Sequence, residues 1–393
     1  MYSKWWLSFA LVLLVIGSVG AADGPQFGEP FPGLPQDVKA LFDAGVEEFS
    51  AAEEADEGLG PVFNDVSCVA CHSNPAVGGD STITETRFGR MKGGKFDPMT
   101  EFGGSLLQVR GLESDPVHPC GPEGIPPEAT IVAKRKTTPL FGLGLVDNVP
   151  DAVLLGIAAA QRALTPEIAG EASIVTDATS GRTRVGRFGW KAQVATLVTF
   201  SADAYLNEMG ITSPTFPMDN LPNGSADRLE QCDGLKGDPK VPEDNGDGVV
   251  AFTDFMTFLA PPPRGAITPQ AIAGRVVFDR VGCASCHLPT LVTGPNKVRA
   301  LNLVRFQPFS DFLLHDMGSL GDGIEQGRAG QRQMRTAPLW GLRVRTTFLH
   351  DGRASSLDAA ILAHDGQGRG ASAKFAQLDT GSKNALMAFL RSL

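Results

Sequence analysis

Histidine is scarce in this chain, with six in 393 residues, so the possible imidazole ligands can be enumerated: His72, His118, His287, His315, His350 and His364. Basic runs are missing, and 44 acidic residues outnumber 34 basic ones. That balance leaves no clustered Lys and Arg to form a nucleic-acid footprint. Long apolar runs are also missing beyond the first segment, so no later stretch spans a bilayer as a helix. The one such run, from Trp5 to Val19, follows Lys4 and ends in the small residues Val19, Gly20 and Ala21 before Ala22. It reads as a signal peptide over 1–21 cleaved after Ala21. The alternative is a membrane anchor, but ~15 apolar or small residues fall short of the ~20 that a spanning helix needs. The expected mature protein is exported, periplasmic or its equivalent, with no membrane contact after cleavage.

Turn formers are abundant, with 46 Gly and 28 Pro in an otherwise ordinary composition, which predicts short helices joined by long loops. The roughly 370 residues left after cleavage exceed what one core organises, so two domains are expected. The six cysteines divide by spacing. Cys68, Val69, Ala70, Cys71 and His72 form one Cys-x-x-Cys-His unit, and Cys283, Ala284, Ser285, Cys286 and His287 form another. Each unit offers two thiols for the vinyl groups of a porphyrin and an imidazole for its iron, and that chemistry requires the three residues to be this close. Zinc binding and a redox-active Cys pair are the competing readings. Two such units behind an export signal favour two covalent c-type haems. Cys120 and Cys232 are left over, as a disulfide in an oxidising compartment or as two separate buried thiols.

The surroundings of the two units repeat. Gly45 and Phe49 precede the first, and Gly274 and Phe278 precede the second, with the same four-residue step. On a helix that step puts both side chains on one face, Gly for close packing and Phe to cover the haem edge. Thr268 and Pro269 mark the start of the second helix as an N-cap and first-turn proline. Downstream, Thr137, Thr138, Pro139, Leu140, Phe141, Gly142 and Leu143 match Thr336, Ala337, Pro338, Leu339, Trp340, Gly341 and Leu342. A helical stretch follows each, near 151–164 and 357–364. A last helix over about 382–393 carries Leu386, Phe389, Leu390 and Leu393 on one side, to pack over the haem-bearing helix. The expected fold is mainly α, as two cytochrome-c-like haem-binding lobes with long loops. They are an N-terminal lobe over 22–213, a Pro-rich linker over 214–264 and a C-terminal lobe over 265–393.

Within that linker, Glu243, Asn245, Asp247 and Asp254 occupy positions 1, 3, 5 and 12 of a loop with Gly248 at position 6, the pattern of an EF-hand or dockerin calcium site. The other reading is a polar turn leading into a helix over 251–259.

The chain resembles the dihaem oxidoreductases often labelled thiol oxidoreductases, and more distantly the bacterial dihaem cytochrome c peroxidases. The resemblance is carried by Pro139 to Val146 (PLFGLGLV), Gly186 to Ala192 (GRFGWKA), Glu208 to Phe216 (EMGITSPTF), Leu313 to Gly318 (LLHDMG), Arg335 to Leu342 (RTAPLWGL) and Phe348 to Ala354 (FLHDGRA), together with both haem units. In those peroxidases a His-Asp-Gly segment is followed fourteen residues later by the Met that ligates the second haem. Counting from His350, the equivalent position is His364. The resemblance therefore implies a second iron held by His287 and His364, at a lower potential than a His/Met haem. The first lobe has no matching residue after Leu145 to Pro150. Its iron is then either open to a small substrate or closed by His118, Met209, His315 or Met317. His350 is expected to hydrogen-bond a haem propionate or to brace its turn, and His315 to be a ligand or a satisfied structural residue. A Trp between the haems is a feature of the related peroxidases, and Trp190 or Trp340 could fill that place. The other reading of each is a core residue with its indole N–H satisfied.

Three functions follow. The first is a redox enzyme passing electrons between two haems, a donor or acceptor redox protein and a small substrate of peroxide or thiol type. The second is a pure electron carrier with both irons six-coordinate. The third, a haem-based sensor or structural cytochrome, has no feature in its favour. No residue is singled out as catalytic.

Overall fold

The computed structural model describes residues 24–113, 119–232 and 241–393. The expected signal peptide and His118 lie outside them. Helices account for 38% and strands for 15% of the structure, so the mainly α expectation is corrected to a mixed fold.

Seven helices organise the two lobes. They are α1 (Gln36–Ser50), α2 (Asp151–Leu164), α3 (Leu197–Met209), α4 (Asp247–Phe258), α5 (Pro269–Val281), α6 (Leu357–Leu362) and α7 (Thr380–Leu390). Side-chain caps fix several starts. Thr196 accepts from the Thr199 amide at α3, Thr268 from Ala271 at α5 and Asp379 from Ser382 at α7. Gly210 and Gly282, both at positive φ, end α3 and α5.

The repeat seen in the sequence becomes a repeat of helix crossings. In the C-terminal lobe α5 crosses α7 at Gly274, where an added Cβ would fall 1.8 Å from the Ala385 carbonyl oxygen. In the N-terminal lobe α1 crosses α4 at Gly45, where the same atom would fall 2.4 Å from the Ala251 carbonyl oxygen. The second repeated segment hooks onto the end of each capping helix. The Gly142 amide donates to the Leu259 carbonyl after α4, and the Gly341 amide to the Leu393 carbonyl after α7.

This pairing corrects the domain boundaries. Helix α4 lies within the expected linker, yet Val249, Phe252, Phe255, Met256 and Phe258 are buried in the same core as Phe42 and Phe49 of α1. The first lobe thus takes its capping helix from 214–264, and its core also draws Leu291, Leu301, Phe306, Phe312 and Trp340 from beyond residue 265. The second core is smaller, formed by Val277, Phe278, Val281, Phe309, Phe375, Leu386, Phe389 and Leu390 with neighbours.

Strands also position side chains around the two cavities, among them Glu85, Arg135 and Lys136 at the first and His315, Met334 and Arg335 at the second. β1 (Thr84–Lys92) pairs antiparallel with β2 (Lys95–Asp97), β3 (Leu106–Leu107) and β4 (Ile131–Lys136). β5 (Ser173–Thr176) and β6 (Thr183–Gly186) form a hairpin. β7 (Leu314–Asp316) pairs with β8 (Gln333–Arg335).

Cys120 and Cys232 are joined as a disulfide, with Cα atoms 5.0 Å apart, in agreement with the first of the two readings. The calcium reading fails on geometry. Helix α4 begins at Asp247, so Asp254 sits seven residues along the same helix, about 10 Å away on its axis. The Glu243 carboxylate accepts instead from the Thr212 hydroxyl and amide, and Asp244 caps α4 through the Gly248 amide. Asn245 bonds Asp247 beside it. The polar turn leading into a helix is what forms.

Candidate active site: two haem cavities and the wall between them

Each Cys-x-x-Cys-His unit opens onto its own cavity. Cys68, Cys71 and His72 line a space of about 210 Å³, and Cys283, Cys286 and His287 line one of about 570 Å³. The ring nitrogens are prepared for a metal. His72 Nδ1 lies 3.1 Å from the Gly79 carbonyl oxygen and His287 Nδ1 3.0 Å from that of Phe309. Donation from Nδ1 leaves Nε2 of each as the unprotonated, ligating nitrogen. Burial pushes both imidazoles down to about 4, with His364 adding to the effect at His287, so both are neutral at pH 7. Burial also pushes the Cys68, Cys71 and Cys283 thiols up to about 12. A redox-active Cys pair needs the opposite shift.

His364 completes the second cavity. It follows α6, its Nδ1 lies 2.7 Å from the Ala360 carbonyl oxygen, and its ring centroid is 6.5 Å from that of His287. An iron about 2 Å from each of two Nε2 atoms separates two such centroids by about 6 Å. The pair therefore fits a haem iron held from both faces.

His315 and Met317 line this second cavity, not the first, and so drop out as ligands for the first iron. Both His315 nitrogens are also engaged. Nε2 meets Asp311 at 3.0 Å, and Nδ1 meets Gln367 at 3.1 Å. Burial disfavours its charge, but the Asp311 hydrogen bond and neighbouring charges outweigh this and raise it to about 10. It is a satisfied structural residue, in contact with the Cys286 sulfur at 3.6 Å.

Among the described residues His72 is the sole histidine lining the first cavity. Met209 lines it too, with its sulfur 4.0 Å from that of Cys68. The same walls carry a group of acids that sequence reasoning missed. Glu208 lies in the last turn of α3 and takes a 2.6 Å hydrogen bond from Asn64, Asp203 lies one and a half turns earlier on that helix, and Glu85 comes from β1 paired to Arg87 at 2.9 Å. Burial, then repulsion from Glu85, raises Glu208 to about 7. Burial, opposed by Arg87, raises Asp203 to about 6. Glu208 opens one of the segments that carry the family resemblance, but nothing in the sequence tells a buried acid on a helix from a solvated one.

Trp190 lines both cavities, and its indole donates to the Lys136 carbonyl at 2.9 Å. Trp340 lines neither. It is buried in the first core, 6.1 Å from the Phe306 ring. His350 is buried on the second cavity's wall with its ring 6.3 Å from Trp190.

A family model described as "Di-haem oxidoreductase, putative peroxidase" matches residues 127–393. No curated protein matches. Among solved structures the chain is similar to hydrazine synthase of Kuenenia stuttgartiensis, at 15% identity and a TM-score of 0.39 over 100% of both chains. It is also similar to a MauG-like protein associated with microbial copper homeostasis, at 13% identity and a TM-score of 0.40 over 95% of both. A third is the diheme peroxidase BthA of Burkholderia thailandensis, at 14% identity and a TM-score of 0.40 over 93% of this chain and 86% of that one. Since the family model runs over more than half of the sequence and takes in the second attachment motif, the chain belongs to the di-haem oxidoreductase family.

Proposed function

We propose that this protein is an exported redox enzyme with two covalent haems, which takes electrons from a partner redox protein at the C-terminal haem and reduces peroxide at the N-terminal one. The asymmetry of the two cavities carries the reading. Two imidazoles face each other across the second, whereas the first has one histidine among the described residues and a wall of half-buried acids. The haems supply iron that changes valence one electron at a time. The chain supplies the rest. His287 and His364 would hold the second haem iron and so keep substrates from it, and Trp190 occupies the wall between the cavities, where an aromatic would shorten the gap electrons cross. His72 leaves the opposite side of the first cavity for a small molecule.

Reducing one hydrogen peroxide to two waters consumes two electrons and two protons, so a proton-moving group must stand at the reacting end. Glu208 suits that task, because a pKa near 7 lets one carboxyl oxygen take the proton from peroxide and return it to the departing oxygen. A thiol substrate would run the electrons outward, two thiols giving a disulfide, two protons and two electrons. The same acids would then accept the protons. One observation favours the electron-carrier reading instead. Met209 lines the first cavity and would close that iron if its thioether ligated it.

Peroxide turnover with a reduced donor, followed against pH, tests the proposal. Glu208 must be ionised to take the first proton, so the rate should rise through about pH 7. Glu208→Gln should be slower by roughly 10²–10⁴ and lose that rise. An unchanged rate and profile in Glu208→Gln would remove Glu208 from the chemistry.

A further inference from the structure

The wall between the two cavities is short of negative charge. Arg335, at the end of β8, and Arg345 both line the second cavity and the narrow space beside Trp190. Arg335 is buried, and its Nε donates to the Gly189 carbonyl at 2.7 Å and one terminal nitrogen to the Thr336 carbonyl at 3.0 Å. Among the described residues no carboxylate pairs with it. Arg345 is barer still: among the described residues, nothing hydrogen-bonds or ion-pairs its guanidinium. Burial lowers both from their ordinary range, and the Arg345 charge adds to the effect at Arg335.

The acids whose fields reach them are already engaged. Asp80 acts on Arg345 but holds Lys136 Nζ at 2.6 Å. Asp311 acts on Arg335 but holds His315 at 3.0 Å and Gln161 at 2.8 Å. Pairing Lys136 with Asp80 and His315 with Asp311 leaves two guanidiniums and no carboxylate. A buried cation without an anion is costly, and a guanidinium fork is shaped for a carboxylate. His350, on the same wall, also has no side-chain hydrogen bond among the described residues.

We propose that Arg345, with Arg335 beside it, anchors the two propionate carboxylates of the C-terminal haem. The inference rests on the reading that this haem lies between His287 and His364. The unmatched positive charges equal the charges that one haem's propionates bring. The anchor fixes the edge of the haem toward Trp190, and its retained positive charge raises that haem's potential against the lowering effect of two imidazole ligands.

The test uses the holoprotein with Arg345→Gln and Arg345→Lys. Midpoint potentials of both haems are read by spectroelectrochemistry, and propionate hydrogen bonding by the propionate bending band in resonance Raman spectra. In Arg345→Gln the C-terminal haem's potential should fall and its propionate band should move, with the N-terminal haem unchanged. Arg345→Lys should keep most of the potential, because the charge stays, and still move the band, because an ammonium cannot form the fork. If Arg345→Gln loads haem poorly, the Lys variant alone decides through the band. A wild-type potential and band in these variants would overturn the anchor, as would a shift confined to the N-terminal haem. The low-spin bis-histidine resonance distinguishes the two failures. Its absence from the wild type would sink the His287 and His364 reading, whereas its presence with silent Arg345 variants would sink only the anchor.

Discussion

Replacing Gly274 by Ala adds one methyl group at the crossing of α5 and α7. The magnitude follows from contact distances. The new Cβ would stand 1.8 Å from the Ala385 carbonyl oxygen, 2.5 Å from the carbonyl carbon and 2.8 Å from the Phe389 Cβ. Nonbonded atoms do not come closer than about 3 Å, and the obstacle is backbone, which has no rotamer to escape into. The helices must therefore part by about 1 Å. Overpacking of this kind costs about 1–3 kcal/mol, and this site belongs at the upper end. Loss of glycine's backbone entropy returns about 0.5–1 kcal/mol. The net loss of about 2 kcal/mol corresponds to a drop in Tm of about 4–8 °C for a domain of this size. Because α5 runs through Gly282 directly into Cys283, the attachment motif moves with the helix. Thermal unfolding followed by far-ultraviolet circular dichroism, with the haem band in parallel, measures both. Gly156→Ala in α2 is the control: nothing lies within 4 Å of the added carbon, so it should be neutral or gain up to about 1 kcal/mol. An unchanged Tm in Gly274→Ala, or an equal loss in Gly156→Ala, would refute the close-packing account.

Two further outcomes concern the electron path. His364→Met should raise the potential of the C-terminal haem, since a thioether favours the reduced iron relative to imidazole. An unchanged potential with an intact haem spectrum would remove His364 as a ligand. Trp190→Leu should slow electron transfer between the haems after the C-terminal one is reduced in a stopped-flow experiment, while leaving both equilibrium potentials near their wild-type values. An unaltered rate would take Trp190 out of the path.

What the sequence carried and what it hid follow from how local each feature is. The two Cys-x-x-Cys-His units, the Gly45 and Gly274 crossings and the caps at Thr268 and Pro269 each lie within a few residues, where spacing and side-chain chemistry suffice. His364 was reachable because its distance from His350 is a feature of the resembling peroxidases. Helix α4 was hidden by its polar, Pro-rich flanks, although its buried Val249, Phe252, Phe255 and Met256 make it the counterpart of α7. The calcium pattern misled because oxygen spacing alone does not set geometry: once the helix begins at Asp247, the ligands are spread along its axis. Short strands such as β7 and β8, of three residues each, give no periodic signal. The acid wall and the paired arginines depend on long-range proximity. Glu85 meets Arg135 at 3.6 Å from another strand, and Arg335 and Arg345 line one space with Trp190, which lies far earlier in the chain.

The division of labour between the two irons is tested most directly by electron paramagnetic resonance of the oxidised holoprotein, with haem content counted. The account predicts two haems per chain, one giving a low-spin bis-histidine signal from His287 and His364 and one giving a high-spin signal from an iron held by His72 alone. Two low-spin signals would contradict it, place a sixth ligand such as Met209 on the first iron and make the protein an electron carrier.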